Sequence, residues 1–231
     1  IAATKIEIAN VHRWMCTCGI DFSKVTDWAS VNLHFRDGDL RYDISHSWMC
    51  LNSKDISRLK VPWKEWADQG RLTLVDDVEI HPQFLTNYIQ DMKQQYQIQM
   101  VAMDDFRYAL LSKYLEMIGF DKKTYKNLKL IRPSDIMRVV PVIDHCFVNQ
   151  WFRWGDAPEL RWATNNTKLV RHNRKIGQSD DMDFGNFVYG KIEAKSRKTD
   201  PFMALVASMV VEDVLPETAI KQAPKIKVYS Y

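Results

Sequence analysis

The chain has 231 residues, 46% of them apolar, which is enough for one large domain with a substantial core and excludes an intrinsically disordered chain. Its net charge of +3 is too small to identify a nucleic-acid partner, although basic residues cluster at 122–132, 168–175 and 191–198. No secretory leader and no membrane-length apolar run is visible, so the four cysteines are read as reduced thiols in a cytoplasm.

Residues 1–10 carry no strong pattern and read as a loose lead-in. Residues 14–23 read as a buried strand, followed by strands at 28–36 and 40–48. Val31, Leu33 and Phe35 alternate with Asn32, His34 and Arg36, and Leu40, Tyr42 and Ile44 alternate with Arg41, Asp43 and Ser45. A two-residue Asp37-Gly38 loop between such runs predicts a hairpin, so the chain opens as a three-stranded antiparallel meander.

The middle alternates strand and helix. Short helices over 53–69 are punctuated by Pro62 and stopped by Gly70, and 71–75 is a short strand. A helix over 82–96 places Phe84, Leu85, Tyr88, Ile89 and Met92 on one side. A strand then ends at Asp104. A helix over 106–118 turns Phe106, Ala109, Leu110, Tyr114 and Met117 inward and closes at Gly119. Residues 128–131 form a strand, and 134–151 a helix that tolerates Pro141. The strands at 98–103 and 128–131, each followed by a helix, predict parallel neighbours. The fold class is therefore α/β, with a mixed sheet of three antiparallel strands plus parallel strands, flanked by helices.

Beyond 151, residues 159–165 and 187–193 read as strands around a polar excursion at 173–186, which carries Asp180, Asp181 and Asp183. Asp200 caps a last helix over 202–215, Pro201 takes its first position, and Pro216 stops it. That helix is apolar nearly all round yet too short to cross a bilayer, which makes it a core helix. The domain is expected to span 1–215, with 216–231 as a tail that reads either as a flexible end or as a contact segment.

Three acids occupy positions that need a reason. Asp21 follows Gly19-Ile20 at the end of a buried strand, where a charge is costly. Asp104 ends another strand, and Asp200 opens the core helix. Ligands in such sheets bind at the carboxyl ends of the strands, where Asp21 and Asp104 both fall. Separately, they read as a turn residue, a strand-end acid and a helix cap. Together, they offer oxygen ligands that suit Mg2+ or Mn2+, and carboxylates from separate elements can bridge two ions about 4 Å apart.

Other chemistries are poorly supported. Residues 185–192 nearly spell a phosphate-binding loop, but Ile192 lacks the hydroxyl and no apolar strand precedes Gly185. There is no G-x-S-x-G elbow, the six histidines lack ligand spacing, and Cys16-x-Cys18 has no second pair. Cys146 beside His145 is read as a packed helix cysteine.

Several stretches carry a resemblance. Gly19-Ile20-Asp21-Phe22-Ser23, followed by Asp27, resembles the first strand motif of the nuclease domain of the tailed-bacteriophage terminase large subunit. Met103-Asp104-Asp105-Phe106-Arg107 resembles its second motif, with Asp105 where proline is usual. Gly185-Asn186 through Lys191, then Ser196 through Leu205, resembles its closing motif, and Pro158 through Asn166 fits the segment before it. The resemblance covers roughly residues 15 to 215 of this chain.

It implies a ribonuclease H-like fold and a metal-dependent endonuclease cutting concatemeric double-stranded DNA during genome packaging in the host cytoplasm. Metal binding and catalysis then fall to Asp21, Asp104 and Asp200, with a swap of roles between Asp104 and Asp105 left open because Asp105 stands where proline is usual. Asp27, Asp105, Asp181 and Asp183 are auxiliary acids. Lys191, Lys195, Arg197 and Lys198 meet DNA phosphate. The implied cofactors are two Mg2+ or Mn2+ ions. The implied partners are double-stranded DNA, an ATPase motor domain, the small terminase subunit and the portal, with no membrane. No Walker motif is present, so the chain corresponds to the nuclease half. A junction resolvase or transposase core of the same fold, and a non-catalytic module docking to portal or motor, remain alternatives.

Overall fold

A computed structural model describes residues 10–25, 27–172, 186–193 and 195–219. The first nine residues, Thr26, residues 173–185, Ala194 and residues 220–231 lie outside it, and with them the lead-in, Asp181, Asp183 and most of the tail.

In chain order the elements are β1 (Met15–Asp21), β2 (Ala29–Asp37), β3 (Leu40–Cys50), α1 (Trp63–Asp68), β4 (Leu72–Val75), α2 (Pro82–Gln95), β5 (Gln97–Asp104), α3 (Asp105–Met117), β6 (Leu128–Ile131), α4 (Pro133–Val148), β7 (Phe152–Arg153), α5 (Pro158–Asn165), β8 (Thr167–Arg171), β9 (Phe187–Lys191) and α6 (Asp200–Val210). Six strands run in the order β4-β3-β2-β1-β5-β6, and β7 pairs with β3 off that path. β1, β2 and β3 form the antiparallel meander, whereas β5 joins β1 in parallel and β6 joins β5 in parallel. Strands β8 and β9 form a separate antiparallel ribbon. Among the described residues no helix is long and apolar enough to cross a membrane.

The sheet is covered on both faces. On one, Cys16, Cys18 and Ile20 of β1, with Phe22 just beyond it, pack with Leu85 and Ile89 of α2, Leu111 and Leu115 of α3, and Ile80 ahead of α2. On the other, α6 lies directly across β1 and β2. Gly19 permits this approach, because a Cβ there would sit 1.9 Å from the Ala204 carbonyl oxygen and 2.5 Å from the Ser208 nitrogen. Next to it, the Thr17 hydroxyl donates to the Ser208 carbonyl at 2.8 Å.

Polar residues on the α6 side of the meander are also buried. Ser30, Asn32 and His34 are each 0% exposed, so the polar half of the alternation in β2 faces a helix rather than water. Asn32 Nδ2 donates to Ser208 Oγ at 3.0 Å and to Asp43 Oδ1 at 2.9 Å. The His34 ring bridges Asp43 and Glu212, at 2.8 Å on each side. Arg41 Nε donates to Glu212 at 2.7 Å, and Trp154 Nε1 to the second Asp43 oxygen at 2.9 Å. A buried polar group is stable only when paired, and this cluster pairs its charges.

Several expectations need correction. The hairpin loop is Gly38-Asp39, one residue later, because Asp37 pairs with Leu40; Gly38 takes the required positive φ of 61°. Residues 158–165 form helix α5, not a strand, and the partner of β9 is β8. Proline at the first position and Glu159 in the first turn are helix-start signals that outweigh the apolar content. In α3 the buried residues are Leu111 and Leu115; Phe106 and Met117 are 81% and 74% exposed, and Ala109 is exposed as well. Phe84 of α2 is also exposed. Helix α6 is shorter than 202–215: it ends at Val210, Thr199 is its N-cap, and Asp200 is already its first residue.

Candidate active site

Helix α6 runs antiparallel to β1 in a matched register. Thr17 meets Ser208, and Gly19 meets Ala204. Two strand residues advance about 6.6 Å and four helix residues about 6 Å, so the next step sets Asp21 against Asp200. The β1–β5 pairing aligns Gly19 with Ala102 and Ile20 with Met103, which brings Asp104 beside Asp21 at the same sheet end. Ala102 packs with Ala207 of α6 and with Val211 just past its end, so Asp104, two residues on, projects to the α6 face as well. Three segments far apart in sequence thus deliver one carboxylate each to one corner.

The electrostatics reflect this convergence. The Asp21 carboxyl is pushed well above the usual carboxylate range, first by burial and next by the charge of Asp200; Lys191 opposes, and Asp27 and Asp104 add to the rise. Asp200 is 3% exposed, and burial pushes its carboxyl up to about 6 against the pull of Lys191. Its Oδ2 atom is buried with no hydrogen-bond partner. Asp104 is exposed and its Oδ1 accepts from the Phe106 backbone N–H at 2.5 Å, capping α3. Asp105 is an exposed residue in the first turn of α3.

Asp27 behaves differently. Lys191 Nζ lies 2.7 Å from its Oδ1 and Lys198 Nζ 3.0 Å from the same atom. Burial alone would raise this carboxyl, but the two ammonium groups hold it below the usual range. Lys198 also reaches Asp55 Oδ2 at 3.1 Å and is only 1% exposed. Lys198, expected to meet phosphate, lies buried here as a counter-ion tying Asp27 to Asp55. Lys195 and Arg197 are exposed on the segment entering α6, and Lys191 is partly exposed.

Two features were missed in the sequence. Asp55 carried no signal beyond a polar turn. Gly19 did carry one, since glycine inside a buried strand marks a close approach, but its partner helix lies 185 residues later in the chain, as the Gly19–Ala204 contact shows.

Among the described residues no group of three or more His, Cys, Asp or Glu side chains is arranged closely enough to hold a metal ion. The donor set nevertheless fits a hard divalent cation. It consists of carboxylate oxygens, one of them buried and unpartnered, and their mutual repulsion is what a cation would relieve.

No protein-family model matches the chain, and no curated protein sequence matches it. Its fold matches the HK97 bacteriophage large terminase with a TM-score of 0.71 at 18% identity, covering 90% of this chain and 41% of that one. The large terminase nuclease of thermophilic phage G20c matches at 0.54 and 10% identity, covering 91% of this chain and 86% of that one. The same G20c nuclease with bound magnesium matches at 0.52 and 10% identity, covering 89% and 84%. The chain therefore spans 41% of the length of the HK97 protein and most of the G20c nuclease. A mixed sheet sandwiched by helices, with three acids at one corner, thus has the fold of the phage large-terminase nuclease domain.

Proposed function

We propose that the chain is the metal-dependent endonuclease domain of a viral DNA-packaging terminase, cutting concatemeric double-stranded DNA by two-metal phosphodiester hydrolysis. One observation carries the reading: the matched β1–α6 register brings Asp21 and Asp200 together, with Asp104 alongside, and leaves Asp200 Oδ2 without a partner. The G20c relative with bound magnesium supports the choice of ion class.

In this reading Asp21, Asp104 and Asp200 would hold Mg2+ or Mn2+. Two such ions would supply activation of a water and charge stabilisation for the leaving oxygen. Asp21 and Asp200 sit on a strand end and a helix start, which fixes their approach. Lys191, parked on Asp27 and within the field of Asp21 and Asp200, is the nearest cation for the scissile phosphate. Lys195 and Arg197 meet flanking phosphates without reading sequence. Asp27 and Lys198 are counter-ions to one another. The remaining partners of this reading are an ATPase motor domain, the small terminase subunit and the portal, in the host cytoplasm.

The test is cleavage of supercoiled and linear duplex DNA by the 231-residue chain with Mn2+ or Mg2+. Cutting should require the ion and vanish in Asp21→Asn and Asp200→Asn. Cutting that persists in chelator or in Asp21→Asn contradicts the reading. A strong preference for branched over linear duplex would instead assign the site to a junction resolvase.

A further inference from the structure

Phe106 is 81% exposed, in a position where the residue pattern calls for a core side chain. It sits in the first turn of α3, and its own backbone N–H donates to the carboxylate of Asp104. The ring is thus mounted on the turn that orients one of the three acids. The Arg107 guanidinium lies over the ring, 4.9 Å from its centroid. Across the β5–β6 ladder, Asp104 pairs with Ile131, so Arg132 leaves β6 level with Asp105, and it is exposed. An aromatic ring with an arginine on its face and a second arginine on the neighbouring strand end therefore borders the acid corner.

An exposed aromatic flanked by guanidinium groups is suited to nucleic acid: the ring offers a stacking face or an apolar wedge, and the cations meet phosphates on either side. The negative charges of Asp104 and Asp105 beside it disfavour an acidic partner unless cations intervene. A DNA strand whose scissile phosphate is held by ions at the acids brings those cations with it.

We propose that Phe106 is a DNA-contact residue, whose ring wedges against the base step beside the phosphate held at Asp21, Asp104 and Asp200, while Arg107 and Arg132 meet the adjacent phosphates. The inference rests on the proposed nuclease reading and adds a residue that positions the substrate. A contact of this kind acts on DNA affinity and on the local stacking of the duplex, independently of the chemical step.

The test uses the full 231-residue chain carrying Asp21→Asn, so that DNA is bound but not cut, with Ca2+ present and a duplex containing 2-aminopurine. Binding should raise the 2-aminopurine fluorescence at one step of a duplex with a defined nick or end. Adding Phe106→Ala should abolish that rise and weaken the Kd by about fivefold to a hundredfold, whereas Phe106→Trp should retain both. Arg107→Ala and Arg132→Ala should each reduce the slope of log affinity against log salt by about 1. Phe106→Ala with unchanged Kd and unchanged fluorescence overturns the inference and leaves the ring as a protein-contact residue, while the nuclease reading stands. Failure of the Asp21→Asn protein to bind duplex DNA at all counts against both, and is separated by the cleavage assay on the unmutated chain.

Discussion

Helix α6 covers buried charges at both of its ends, and the two ends differ. At its C-terminal end, Asp43 and Glu212 flank His34, Arg41 joins Glu212, and Asn32 and Trp154 complete Asp43. At its N-terminal end, burial and then the charge of Asp200 raise the proton affinity of Asp21, burial raises that of Asp200, and one Asp200 oxygen has no partner. The same helix on the same sheet thus carries one cluster whose charged groups are paired, its unpartnered atom being the neutral Asn32 Oδ1, and one in which a carboxylate oxygen is left unpaired. Pairing is what a structural charge cluster needs; a site that must accept a cation has to forgo it.

The largest expected effect lies at the satisfied end. His34→Ala leaves two buried carboxylates without their shared partner and should cost about 3–5 kcal/mol. Thermal unfolding would show this as a drop of about 10 °C for a chain of this size. An unchanged midpoint would mean that the cluster contributes little.

Gly19→Ala is next. The added methyl collides with helix backbone rather than a movable side-chain tip, so α6 must shift or the strand must bend, at a cost of about 1–3 kcal/mol or more. Because α6 carries Asp200, the variant should lose cutting activity beyond its loss of stability. Activity per folded molecule equal to that of the unmutated chain would contradict the register argument.

Proton linkage separates the two ends. Burial alone would lower the His34 pKa, but Asp43 and Glu212 push it up to about 9, while His34 and Arg41 hold Glu212 down to about 2 against its own burial. The native state keeps the His34 proton that the unfolded chain gives up near 6.5, so this part of the stability is full below that pH and is lost as pH rises through 9. Glu212 contributes stability above about 4.5 that is lost as pH falls toward 2. His34→Gln should flatten the alkaline decline measured by denaturant unfolding.

Asp200 has the opposite sign to an ordinary paired acid. Its folded pKa of about 6 lies above the unfolded value, so the native state binds more protons between roughly 4 and 6 and stability falls as pH rises across that window. Asp200→Asn should remove this fall and, at neutral pH without metal, raise stability by about 1–2 kcal/mol while abolishing cleavage. A variant that is destabilised by that amount would show that the carboxylate is structurally satisfied after all.

Much of the sheet was legible because its signals are local. Alternation in β2 and β3 around a Gly-containing turn, strand ends at Asp21 and Asp104, and Gly119 at φ 87° after α3 all express short-range chemistry. The turn itself slipped by one residue, since Asp-Gly suits two hairpin registers and only the pairing of Asp37 with Leu40 decides between them. The inward face of α3 was misread because Phe106 and Met117 match an apolar stripe, yet Leu111 and Leu115 face the sheet. Helix α5 was hidden by the short length of its segment, within which Leu160 and Ala163 are buried.

The site was legible only in part, for a related reason. Asp21, Asp104 and Asp200 stand out as charges at apolar boundaries. The pairing of Lys198 with Asp27 and Asp55 does not, because it joins three loops with no common local pattern. A lysine in a basic run reads as solvated, and only the fold reveals that this one is buried.

The central claim is that the acids of β1, β5 and α6 share a divalent cation. The most direct measurement is a crystal structure of the chain soaked in Mn2+, with anomalous scattering to locate the ion. One or two peaks within coordination distance of Asp21, Asp104 and Asp200 are predicted, with Asp200 Oδ2 as a ligand. Saturating Mn2+ that leaves this corner empty, with the three carboxylates turned to separate regions, would contradict it.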